Sequence, residues 1–194
     1  VERIVTAACR APSWCNVQPW QVIVTGGDAT DRLRAALSKE ARSAASRPDM
    51  PFPEGYSGVF RDRRRTCGWQ LYDAVGVEKG DRAASAAQSM ENFRFFGAPH
   101  VAVLTSEAEL GAYGALDCGG FVMAFLLAAQ ALGVATIPQA AVAAFAPFLR
   151  RYFDIPENRL ILCAISFGIE DTEHPANSFR TERAALPEII DWRE

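Results

Sequence analysis

Apolar residues recur along this chain with two periods, and each change from one to the other marks an element. Between residues 2 and 10, Ile4, Val5, Ala8 and Cys9 fall on one side of a helix, which Pro12 stops. Residues 21–25, Gln-Val-Ile-Val-Thr, predict a strand closed by Gly26 and Gly27. Asp28, Thr30 or Asp31 then offers a cap to a helix whose buried stripe is Leu33, Ala36 and Leu37. Residues 46–57 carry Pro48, Pro51, Pro53 and Gly55, with Met50 and Phe52 interleaved, and predict the longest irregular segment, a lid or a surface loop. Helical composition returns over 59–75 and again over 81–96, where Asp81 is the expected cap and Gly97-Ala98-Pro99 the stop. A strand follows at 100–105.

From Cys118 to Leu149 no residue is charged, so a membrane span has to be weighed. Gly133, Pro138, Gln139 and Pro147 divide the stretch, and its predicted continuous helix, residues 119–132, falls short of the roughly 20 residues needed to cross hydrocarbon. The expected element is a helix buried on all sides, either at the centre of the domain or at a subunit interface. Strands are predicted at 134–137 and 160–167, the second an apolar run suited to an inner strand. The pattern as a whole predicts an α+β fold of about four strands wrapped by five to seven helices. No repeat interrupts it, and the 194 residues are expected to form a single domain, 1–194.

Composition narrows the function. A formal net charge of −3 does not favour nucleic acid as a partner, and no membrane partner is expected. The five cysteines, Cys9, Cys15, Cys67, Cys118 and Cys163, include no CxxC pair and suit a reducing cytoplasm. His100 and His174 lack a second ligand at zinc spacing, so no metal site is expected, and His100 reads as structural. Gly26-Gly27 lacks the GxGxxG spacing of a dinucleotide fold.

Three segments could carry chemistry. Pro12 and Pro19 bracket Ser13, Trp14, Cys15, Asn16, Val17 and Gln18, a stiff polar turn beside a tryptophan that reads alone as a helix-to-strand connection or as a loop for a flat aromatic ligand. Pro138, Gln139 and Ala140 follow a strand that is expected to break at the proline and so free backbone N–H donors. Arg180 and Arg183, three apart, could grip a phosphate through guanidinium forks or belong to a solvated charge cluster with Glu182. The run Arg61-Asp62-Arg63-Arg64-Arg65 is the densest basic cluster and could receive a carboxylate substrate or a nicotinamide phosphate or be a solvated helix face, while Phe93, Phe95 and Phe96 read as core packing.

The wording of these segments resembles one family. Pro12-Ser13-x-x-Asn16-x-Gln18-Pro19-Trp20, the Pro138-Gln139-Ala140 stretch after the uncharged helix, and Asn177-x-x-Arg180-Thr181-x-Arg183 are together similar to the FMN-dependent nitroreductase family, in particular its nitrobenzoate-type branch. Phe167-Gly168-Ile169 departs mildly from that branch. The resemblance implies a mixed, mainly antiparallel sheet of four to five strands and a domain-swapped homodimer with FMN at the subunit interface. It implies Pro12, Ser13, Trp14 and Asn16 against the partner's flavin, Pro138, Gln139 and Ala140 beside the flavin ring, and Arg180 and Arg183 on its phosphate. NAD(P)H would be the electron donor and a nitroaromatic, quinone or other flat small molecule the acceptor, in ping-pong order and with no protein nucleophile. Reductive dehalogenation, heterocycle oxidation and a non-catalytic flavin-binding or storage role stand as alternatives. The family's Arg-Ser-x-Arg-type opening segment would fall before Val1, and it is expected either upstream of this sequence or lost together with part of the flavin affinity.

Overall fold

The computed structural model describes residues 1–193 and places four antiparallel strands in the order β1-β2-β4-β3: β1 (Gln21–Gly26), β2 (His100–Glu107), β3 (Ala135–Gln139) and β4 (Arg159–Gly168). The helices are α1 (Glu2–Ala8), α2 (Asp28–Ser43), α3 (Gly58–Ala74), α4 (Arg82–Met90), α5 (Gly111–Ala131) and α6 (Ala146–Phe153). The sheet is purely antiparallel rather than mixed.

Residues 1–52 and 86–170 make one compact unit, which holds the whole sheet. Successive side chains of β2 alternate between its two cores. Val101 and Val103 pack with Leu33, Leu37, Phe95 and Leu149, whereas Ala102 and Leu104 pack with Ile4, Phe121 and Phe125. On the partner strand, Thr105 faces Ile161 and Leu104 faces Cys163, so Leu162 is an extra residue. That bulge shifts the alternation of β4 and puts Ile161 and Ala164 in the same core.

Several elements depart from the sequence pattern. No side chain caps α2, because the residue before it is Gly27 at φ +54, and Thr30 is buried with its hydroxyl 2.9 Å from that of Thr25. The helix expected over 81–96 ends at Met90. A 3-10 turn over Glu91–Gly97 follows, in which Phe95 and Phe96 take left-handed φ values of 57° and 50°. Asp81 does cap α4, its carboxylate accepting from Ala84 N at 2.8 Å. Helix α6 carries Pro147 in its first turn, where a proline needs no N–H partner, although in the sequence that proline reads as a breaker.

Helix α5 has 21 residues rather than the fourteen or so expected, and its first two turns hold Gly111 and Gly114. With the turn before it, it is long and apolar enough to cross a membrane by length and composition alone. It is not buried on all sides. Gly114, Cys118, Phe121, Phe125 and Ala129 form one buried stripe on the sheet, and Tyr113, Leu116, Met123 and Leu127 are exposed.

Residues 53–85 and 171–193 make the second compact unit. None of the side chains of α3 is buried, which places the Arg61–Arg65 run on an exposed helix, as the charge pattern predicts. Arg63 pairs with Glu188 at 3.0 Å, and Arg64 lies over the Tyr56 ring.

Candidate functional site

The segment after α1 turns sharply because two prolines fix its ends and three non-glycine residues take left-handed φ: Cys15 at 50°, Asn16 at 56° and Gln18 at 49°. Such residues cost on the order of 1 kcal/mol each and persist only where neighbours over-determine them. Here they do. Ser13 Oγ accepts from Gln18 N at 2.9 Å, Asn16 N donates to Ser13 O at 3.0 Å, and Gln18 Nε2 donates to Asn16 O at 3.2 Å. Helix α5 holds the turn from outside: Trp14 N donates to Asp117 Oδ2 at 3.1 Å, and the Trp14 ring lies 4.3 Å from that of Tyr113. Trp20, at the exit, stacks on Phe121. The result is a rigid turn that leaves Pro12, Trp14 and Asn16 exposed.

Asp117 and Tyr113 were not among the sequence candidates. Asp117 was nonetheless visible as the last charge before the uncharged stretch, at the point where a helix would need to meet a polar partner.

The second segment differs from its expected form. β3 does not break at Pro138 but runs through it, with Pro138 opposite Ile165 and Gln139 opposite Ala164. An edge strand tolerates a proline because one of its sides carries no ladder. The Gln139 side chain is 3 % exposed and already committed: Nε2 donates to Asn92 O at 2.8 Å, and Oε1 accepts from the Ser166 hydroxyl. Pro138 and Ala140, on either side, are exposed.

Arg180 and Arg183 belong to the second unit, in an extended segment after the short turn Pro175–Asn177. Arg180 donates to the carbonyls of Asn177 and Phe179, both at 2.8 Å. Arg183 donates to Thr181 Oγ1 at 2.7 Å and to the Glu182 carbonyl at 3.0 Å. Both guanidinium groups are exposed and hold the shape of their own segment.

The cysteines divide as their surroundings dictate. Cys9, Cys15 and Cys67 are exposed, and all five thiols are free. Burial pushes the Cys118 thiol up to about 11, an effect tempered by the Ser106 hydroxyl and by the nearby Arg159 charge. Burial does the same to Cys163. His100 stacks on Phe167 and fills the space beside Gly26, a structural role.

An antiparallel sheet flanked by α1 and α5, with a locked Pro-Ser-x-x-Asn turn at the start of β1, defines the class. Residues 1–169 match the model of the nitroreductase family, and the chain belongs to that family. It is 38 % identical over 182 residues to the nitroreductase NfnB of Mycolicibacterium smegmatis, which covers 93 % of this chain and 77 % of that one. It is 31 % identical over 183 residues to a 4-nitrobenzoate reductase of Pseudomonas putida, 94 % of this chain and 81 % of the relative. The crystal structure of the FMN-dependent NfnB from Mycobacterium smegmatis in complex with NADPH superposes with a TM-score of 0.94 at 36 % identity, covering 100 % of this chain and 87 % of that one.

Proposed function

We propose that the protein is an FMN-dependent oxidoreductase that takes electrons from NAD(P)H and reduces nitroaromatic compounds. The overall reaction is R–NO2 + NAD(P)H + H+ → R–NO + NAD(P)+ + H2O, with quinones as further flat acceptors. The observation that carries this reading is the turn after α1, whose three left-handed residues are held by hydrogen bonds within the turn and by Asp117. Relatives that match over most of the chain are named as reductases of nitro compounds, and the superposed NfnB is FMN-dependent.

The residues present fit the cofactor. A fixed turn exposing Pro12, Trp14 and Asn16 offers flat apolar surface and a short amide to an isoalloxazine, with no rearrangement required. Pro138 and Ala140 border the ring, and Gln139 serves through its backbone while its side chain holds the end of β3 against Asn92 and Ser166. Ser13 shapes the turn through its hydroxyl. Arg180 and Arg183 provide the charge for the phosphate. Bound FMN supplies the two-electron carrier between nicotinamide and acceptor. The chain acts as one flavin-binding domain, 1–194, in a swapped homodimer, and the exposed apolar face of α5 meets a second copy. Its five free thiols suit the cytoplasm.

The test is the visible spectrum of the purified protein before and after anaerobic NADPH. Flavin bands near roughly 370 and 450 nm that bleach with NADPH and return with a nitroaromatic are the expected result. A protein that is colourless after incubation with excess FMN and removal of the unbound flavin refutes the reading.

A further inference from the structure

Arg159, the first residue of β4, carries one of the most fully committed guanidinium groups of the first unit, and neither periodicity nor motif draws attention to it. It is 8 % exposed. Nε donates to Thr105 Oγ1 at 2.8 Å, Nη1 to Glu107 Oε1 at 2.6 Å, and Nη2 to the carbonyls of Pro19 at 3.2 Å and Thr105 at 3.1 Å. Pro19 closes the turn that begins at Pro12. Thr105 extends the same grip, because its hydroxyl lies 3.3 Å from the Gln21 carbonyl and donates to it. The two carbonyls on either side of Trp20 are therefore held from one guanidinium, directly and through one hydroxyl.

A buried charge kept only for stability is a weak device, since a well-packed apolar pair often does as well. The directional fork of Arg159 does what an apolar pair cannot: it fixes where a backbone carbonyl points. Asp117 holds the entry of the turn at Trp14 N, and Arg159 holds its exit at Pro19 O. Between those two points lie the three left-handed residues.

We propose that Arg159 is a positioning residue for the cofactor-contact turn, setting its geometry from the start of β4 without touching the cofactor. The inference rests on that turn contacting FMN. Glu107 is partly solvated and also accepts from Asn158 Nδ2 at 2.7 Å, so removing Arg159 does not leave it without a partner.

The test compares Arg159→Met with Arg150→Met. Arg150 is a similarly buried arginine paired with Asp49 at 2.7 Å; it donates to the Arg159 backbone carbonyl at 3.0 Å but makes no bond to the turn, so its variant disturbs the start of β4 while leaving the Arg159 guanidinium fork in place. The readouts are amide exchange of residues 14–18 in the flavin-free protein, the FMN dissociation constant, and the visible circular dichroism of the bound flavin. In R159M, exchange of those amides and the FMN dissociation constant should each rise about tenfold, with a changed flavin dichroism, while R150M leaves all three near wild type. Arg159→Lys should recover part of the affinity. If R159M does not fold, Thr105→Val removes the hydroxyl link alone and should speed the same amides. Equal effects in the Arg159 and Arg150 variants overturn the proposal. Should the wild type take up no FMN, the functional reading fails, and the exchange comparison still decides whether Arg159 holds the turn.

Discussion

Cys118 and Cys163 show how a single side chain can report on the core around it. Both thiols ionise at about 11 rather than 9.0 because burial disfavours the thiolate. The raised folded value means that the neutral thiols support the fold fully below about pH 9, and that this support is lost as pH climbs toward 11. A rise from 9.0 to about 11 corresponds to at most about 2 to 3 kcal/mol per thiol. The urea midpoint should therefore fall between pH 9 and 11, and Cys118→Ala with Cys163→Ala should flatten that fall; an unchanged slope would show that other groups govern it. A thiol reagent at pH 8 should leave both cysteines unmodified until the protein unfolds. That Cys118 is buried and Cys163 partly buried was legible from the apolar runs around them. The role of Gln139 was not, because an amide beside a proline looks the same in sequence whether it faces a ligand or, as here, closes a buried contact with Asn92 and Ser166.

Elements were legible where one residue's signal was local. β1, the inner strand β4, the start of α4 at Asp81 and the irregular stretch before α3 all follow from their own letters. α5 was read too short because only the uncharged stretch after Asp117 was taken as helix, whereas the helix begins at Gly111 and Gly114 lies in it for a packing reason. A Cβ there would come within 2.7 Å of Ser106 Oγ and 2.8 Å of Leu110 Cβ. Gly114→Ala gains about 1 kcal/mol of intrinsic helix propensity but overpacks the contact at a cost of about 1 to 3 kcal/mol. The variant should accordingly be less stable than wild type by about 1 kcal/mol in urea unfolding, and a stabilised G114A would mean that β2 yields to α5. Tertiary contact also explains the early end of α4: the left-handed φ at Phe95 takes that ring into the core, and periodicity carries no sign of such a reversal.

At the scale of the molecule, the uncharged stretch was read as a helix covered on every side, and the chain alone covers only one of them. Phe121 and Phe125 lie on the buried stripe of α5, while Leu127 is 64 % exposed, with Leu116 and Met123 on the same side of the element. A row of large apolar side chains on a helix already seated on a sheet needs a second surface, and a second copy of the chain is the one our functional reading supplies. Burying such a face contributes about 25 cal/mol per Å2, so an ionised carboxylate at its centre opposes association strongly. Leu127→Glu should sediment as a monomer at concentrations where the wild type is a dimer, and it should lose FMN in parallel, since each flavin is proposed to draw on both chains. Leu127 lies away from the sheet, so the monomer's far-ultraviolet dichroism should stay that of the wild type. A wild type that is monomeric and pelleted by lipid vesicles would assign the face to a membrane instead, and a dimeric L127E that keeps its FMN would place the interface elsewhere.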